Sequence, residues 1–224
     1  MMSLDLKEIT TAILLLIAIL LSLTVHEFAH AWYADRAGDP TPRRQGRVTL
    51  NPLAHLDPLG TILIVIVAFL GVGLGWGKPV PVNPAYFRNP RVDWVMTAFV
   101  GPLSNIVLAI PFAMILRGVS QAVQIGNENQ SIPVYVEFLF WMVMVNVSLA
   151  LFNMIPLHPL DGSKVLSGFL PDIFDRRYWN FQMLYGPMIL FGSILILPFL
   201  TNWLIDPIRW VLSPLRRALL DWLL

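Results

Sequence analysis

The sequence predicts an all-α polytopic membrane protein, and three observations carry that expectation. Only 13% of the 224 residues are charged, against about 25% in a typical soluble domain. Hydrophobic residues make up 56%. Five runs free of Asp, Glu, Lys and Arg reach 18 residues or more: 9–26, 58–77, 94–116, 138–160 and 178–205. A helix needs roughly 20 mostly apolar residues to cross about 30 Å of hydrocarbon. The runs fill half of the chain, which leaves room for one membrane-embedded domain over 1–224 and little else. This composition excludes a nucleic-acid binder, a coiled coil and a disordered chain. The net charge of +1 sets up no strong pull on a charged partner. With no cysteine, disulfides, thiolate catalysis and Cys-zinc sites are also excluded.

The first run follows a start (Met1 to Glu8) with one Lys and two acids, and no Ala-x-Ala site follows it. A retained helix is expected rather than a cleaved signal. The run ends on Thr24-Val25-His26-Glu27-Phe28-Ala29-His30. Residues 33–58 form a polar loop with Arg36, Arg43, Arg44 and Arg47. The second run ends in Gly71, Gly73, Gly75 and Gly77, followed by Pro79, Pro81, Pro84 and Pro90. Glycine at every second position disfavours a straight helix and suits extended backbone. Two readings stand there: a flexible exit loop, or a re-entrant segment lining a cavity. Irregular backbone survives at membrane depth only when buried in protein or facing water. The third run carries Asn105, expected as a helix–helix contact. Residues 117–133 form a polar loop. The fourth run leads into Asn153-Met154-Ile155-Pro156-Leu157-His158-Pro159-Leu160-Asp161-Gly162. The third and fifth runs read as scaffold. Residues 208–224 alternate Trp and Leu with Arg209, Arg216 and Arg217, as an interfacial helix broken at Pro214 or a frayed tail.

Four histidines occur: His26, His30, His55 and His158. His26 and His30 are four apart, so on a helix they share a face one turn apart. Two imidazoles at that spacing can chelate one zinc ion. The intervening Glu27 then lies where it can take a proton from water. Such a cluster in an apolar helix costs several kcal/mol of insertion energy unless it is satisfied. A catalytic zinc site takes three protein ligands and keeps one position open. Asp161 is the strongest third ligand: prolines stop the fourth helix and Gly162 permits a sharp turn. The alternative is an Asp capping the next helix. His158 is a rival ligand or a structural turn residue. His55 either sits near the metal or pairs with Asp57.

These residues resemble the site-2 protease family of intramembrane zinc metalloproteases. The likeness rests on His26-Glu27-Phe28-Ala29-His30 and on Asn153 through Asp161-Gly162. Asn51-Pro52-Leu53-Ala54-His55-Leu56-Asp57-Pro58, Gly77-Lys78-Pro79-Val80-Pro81-Val82-Asn83-Pro84 and Gly101-Pro102-Leu103-Ser104-Asn105 resemble its compact bacterial and archaeal branch. The likeness runs from about residue 20 to 170. It implies one Zn2+ per chain on His26, His30 and Asp161, with Glu27 as general base. It implies that Asn153 holds the substrate carbonyl or the developing oxyanion. The substrate is then the transmembrane segment of a membrane protein, met in the lipid bilayer. No insertion is long enough for the PDZ domain many relatives carry. Leu157-His158 departs from the family by placing a His where an apolar residue or Pro is expected.

If the ligands at the ends of the first and fourth runs meet, those helices run in the same direction. One of the two intervening runs then fails to cross, and the Gly-ended 58–77 is the better candidate. With 58–77 re-entrant, ten Lys and Arg fall on the ligand side and five on the other. The positive-inside rule places that side in the cytoplasm. The competing expectations are a membrane metal-ion transporter and a proteolytically inactive relative.

Overall fold

The structure is a computed structural model that describes residues 5–70, 75–123 and 132–196, with 213–214, 216–218 and 220–221 near the C-terminus. It is helical throughout its described core. Among the described residues there is no strand, only an isolated antiparallel bridge between Leu56 and Gly77. Three helices are long and apolar enough to cross a membrane: α1 (Leu6–Ala37), α4 (Pro90–Val123, its apolar part ending at Val119) and α5 (Val134–Asn153). Shorter helices complete the order: α2 (Thr41–Arg44), α3 (Pro58–Leu70), α6 (Asp161–Phe169) and α7 (Asp172–Phe191).

α1 begins where Glu8 reaches back to the Asp5 backbone N–H at 3.1 Å and runs for 32 residues. It does not stop at the His-Glu-x-x-His cluster but continues past His30 to Ala37, so the cluster lies inside the helix. Gly38 ends it at φ 116°, a left-handed cap that glycine adopts without strain. A Cβ on Gly38 would also stand 2.8 Å from the Tyr86 carbonyl oxygen. The buried face of α1 is built largely from small residues, among them Ala12, Ala18, Ser22, Ala31 and Ala34. Small residues let neighbouring helices approach closely where no hydrophobic force drives membrane packing. α4 and α5 share the main apolar core, with Ala109, Ala113 and Leu116 against Val136, Leu139, Val143 and Val147.

Side-chain pairs fix the direction of each helix. His26 meets Asn105 and His30 meets the Thr97 carbonyl, so α4 runs opposite to α1. Asn105 meets Asn146 and Phe112 meets Phe138, so α5 runs opposite to α4. Thr11 of α1 bonds Glu137 at the start of α5, so α1 and α5 are parallel.

That parity requires 38–89 to begin and end on one side, and α3 supplies the reason. Its 13 residues span about 20 Å, short of the roughly 30 Å hydrocarbon core. The chain then returns along it. A Cβ on Gly75 would stand 2.3 Å from Ile64 Cγ1, and one on Gly60 would stand 2.1 Å from the Trp76 oxygen. Gly77 pairs with Leu56, and the Lys78 N–H donates to the His55 carbonyl at 2.8 Å. The chain after α3 therefore returns alongside it. Residues 75–83 have no regular secondary structure apart from the bridge at Gly77, while 71–74 lie outside the described residues.

One other run differs from expectation, and another is only partly described. The run 138–160 is not one helix, because α5 ends at Asn153 and 154–160 is an irregular turn. The run 178–205 is helical to Phe191 and continues as a π-turn over Gly192–Ile196, and it is not among the apolar spans of the described residues. Residues 197–205 lie outside the described residues, as does most of the interfacial helix expected at 208–224.

Candidate metal centre

Parallel α1 and α5 bring the turn after α5 level with His26 and His30. His30 Nε2 lies 3.0 Å from His26 Nε2. Asp161 Oδ2 lies 3.2 Å from His26 Nε2 and 3.1 Å from His30 Nε2. All three residues are buried, and among the described residues they form the one group of three or more His, Cys, Asp or Glu that could hold a metal ion. Ligands about 2.0–2.1 Å from a tetrahedral zinc stand about 3.3 Å apart, close to this triangle.

The hydrogen bonds behind the imidazoles decide what the triangle can bind. His30 Nδ1 faces the Thr97 carbonyl at 2.6 Å, and a carbonyl only accepts, so Nδ1 carries the proton. His26 Nδ1 faces Asn105 Oδ1 at 2.7 Å. The Asn105 amide cannot be reversed, because its Nδ2 donates to the Ser22 carbonyl and to Asn146 Oδ1. Asn146 is fixed in turn by its bond to the Met142 carbonyl. In their neutral form both imidazoles therefore aim Nε2 lone pairs into the triangle, and outer-sphere bonds of this kind fix metal-ligand tautomers. Asp161 Oδ2 is buried and accepts no hydrogen bond. A single proton can join only one pair of these three atoms. A divalent cation serves all three, so the residues fit zinc.

Asp161 is the first residue of α6, one position past the N-cap Leu160, and its Oδ2 faces the two imidazoles. Its Oδ1 lies 3.4 Å from Lys164 Nζ, and Lys164 also rests over the Trp94 ring. The turn is pressed onto the end of α5, since a Cβ on Gly162 would stand 2.3 Å from the Met154 oxygen. From α7, Gln182 donates to the Pro156 carbonyl and accepts from the His158 N–H. Tyr178 donates to the Ser163 carbonyl.

Glu27 and Asn153 both line a cavity of about 1390 Å³ that includes the metal triangle, Trp76 and Val80. The 75–83 segment thus forms part of its wall. Asn153 donates one amide N–H to the Leu149 carbonyl. Glu27 Oε2 lies 3.9 Å from Arg47 Nη2.

Of the two expectations for His55, the pairing with Asp57 is not what the structure shows. It is 1% exposed and apart from the triangle. Its Nε2 donates to the Thr49 carbonyl and its Nδ1 faces Arg47. Asp57 instead caps α3 through the Gly60 N–H. His158 is also outside the triangle, packed on Trp179. Asn105 is more than a helix contact, and α4 is more than scaffold, because it supplies the acceptors behind both imidazoles. Gly101 was legible only as part of the Gly-Pro-Leu-Ser-Asn segment; a Cβ there would stand 2.3 Å from His30 Cε1.

Comparison with known proteins agrees with this geometry. The family described as "Peptidase family M50" matches residues 117–195, which include the Asp161 turn. A Bacillus subtilis (strain 168) protein named "Putative zinc metalloprotease YwhC" is 39% identical over 159 residues, 70% of this chain and 69% of its own length. "Putative zinc metalloprotease Rip2" of Mycolicibacterium smegmatis is 27% identical over 204 residues, 88% of this chain and 72% of its own. Rip2 of Mycobacterium tuberculosis (strain Erdman) is 27% identical over 195 residues, 86% of this chain and 70% of its own. No solved structure matches the chain. The likeness to YwhC extends over two thirds of both chains, and the chain belongs to peptidase family M50, the site-2 proteases.

Proposed function

We propose that the chain is a zinc-dependent endopeptidase that cleaves peptide bonds in or beside the transmembrane helices of membrane proteins. One observation carries the reading: two imidazole Nε2 atoms and a carboxylate oxygen converge in a cavity that Glu27 also lines. His26, His30 and Asp161 are the residues that would hold zinc. Bound there, zinc supplies Lewis acidity, polarising a carbonyl and lowering the pKa of water to about 7. Glu27 takes the proton from the attacking water and passes it to the leaving amine. An amide N–H of Asn153 donates to the scissile carbonyl oxygen as it gains charge. The substrate segment unwinds, since a helical peptide bond is shielded, and lies along the 75–83 wall by strand addition. The ligand end of the bundle faces the cytoplasm, in keeping with the excess of Lys and Arg in the segments at that end.

A metal carrier would need polar groups spaced along a path, whereas the metal-capable residues here form one cluster. The test is cleavage of a membrane-helix reporter in liposomes. Glu27→Gln is expected to keep one zinc per chain and lose about 10²–10⁴-fold in kcat. Asp161→Asn is expected to lose the zinc as well. Wild-type cleavage by Glu27→Gln with zinc bound would overturn the base assignment.

A further inference from the structure

A buried arginine stands beside the proposed base. Arg47 is 3% exposed, and burying a guanidinium is costly unless its donors are paired. Nη1 donates to the Pro79 carbonyl at 2.9 Å, and Nη2 donates to the Lys78 carbonyl. Nη2 also faces His55 Nδ1 at 3.4 Å. That nitrogen is the acceptor, because His55 Nε2 donates to the Thr49 carbonyl. These acceptors hold the guanidinium from two sides, the 49–55 loop and the limb that returns along α3. None of them carries charge. Among the described residues, the carboxylate within ion-pair distance of Arg47 is Glu27, at 3.9 Å. That separation is too long for a hydrogen bond, yet in a buried site Coulomb attraction over it remains substantial. Burial lowers the Arg47 pKa and Glu27 partly offsets this, leaving a cation.

We propose that Arg47 is the positioning residue of the reaction: its clamped guanidinium holds the Glu27 carboxylate in place and ties it to the substrate-side segment at Lys78 and Pro79. The inference rests on the reading of Glu27 as general base. Arg47 touches neither the metal triangle nor the reacting atoms. It acts through Glu27, and the hairpin carbonyls set where it stands. A peptide that docks along 75–83 therefore engages the same strip of backbone that fixes the base.

The test measures kcat and KM for a reporter helix in liposomes, with zinc content, for Arg47→Lys, Arg47→Met, Glu27→Asp and the double variant Arg47→Lys/Glu27→Asp. Arg47→Met is expected to lower kcat at least thirtyfold, with KM within about threefold and zinc retained. Arg47→Lys, which keeps a charge, is expected to recover part of that loss. The double variant is expected to be less impaired than the product of its single effects, since both changes act on one carboxylate. A rise in KM alone, a kcat loss that tracks lost zinc, or independent effects in the cycle would overturn the proposal. Should the Arg47 variants fail to fold, His55→Leu removes one of the two acceptors on Nη2 while keeping the arginine and its bond to the Lys78 carbonyl; a several-fold fall in kcat supports the proposal and unchanged kcat overturns it. Wild-type cleavage by Glu27→Gln would instead remove the base assignment and the positioning role together.

Discussion

Gly101 is occupied by a residue without a side chain because the two imidazoles fill the space one would need. A Cβ there would lie 2.4 Å from His30 Nε2 and 2.9 Å from His26 Cε1. Gly101→Ala is therefore expected to displace the histidines and release zinc while the helices stay folded, as metal analysis beside circular dichroism would record. Asn105 works from behind the ligand. Asn105→Leu removes the acceptor that holds His26 Nδ1–H, and a 10–100-fold loss of zinc affinity is expected in chelator competition. The ligand pair was legible in the sequence because four-residue spacing on a helix fixes their common face. The roles of Asn105 and Thr97 were not. A tautomer-fixing contact depends on what faces the ring, and Thr97 contributes a backbone carbonyl that every residue type has.

Among the elements, the turn 154–160 decides whether Asp161 reaches the imidazoles. Its Pro-rich sequence announced that α5 would end there. It did not announce the brace from α7, because Gln182 lies outside any recognisable pattern. Gln182→Leu leaves the His158 N–H and the Pro156 carbonyl without their partner, and a loss of about 1–3 kcal/mol is expected per group left unsatisfied. A lowered thermal midpoint in detergent checks this. His158 adds a pH dependence. Burial, and then Lys164, hold its pKa below the ordinary value of 6.5, and its Nδ1 has no partner. Its protonation thus favours the unfolded turn. The stabilisation is whole above about pH 6.5 and declines as pH falls through the lowered value. His158→Gln is expected to flatten that acid limb in thermal melts between pH 7 and 5. The hairpin of α3 was legible for a plainer reason: alternating glycines can lie flat against a helix, and here Gly75 does so on Ile64.

For the whole molecule, the three apolar helices found among the described residues run up, down, up and place the two ends of 38–89 at one end of the bundle. Arg47 bonding Pro79 puts the loop after α2 beside the returning limb of the hairpin. Single cysteines at Gly46 and Lys78 are accordingly expected to react with a membrane-impermeant thiol reagent from the same side. Labelling from opposite sides would refute the hairpin topology. The parallel arrangement of α1 and α5 was deducible from the ligand positions alone. The number of crossings was not, because hydropathy scores α3 and a true span alike until its length in helix is known.

The split of the ligand set between α1 and α6 also sets a schedule for biosynthesis. His26 and His30 leave the ribosome about 130 residues before Asp161, a delay of about 7–26 s at typical elongation rates. During that interval α1 enters the bilayer with two imidazoles whose carboxylate partner does not yet exist. Asn105 arrives midway and can already orient His26, but no three-ligand site can form. The newborn chain therefore stays chemically silent beside the nascent helices around it until α5 has been inserted and the turn after it has folded back.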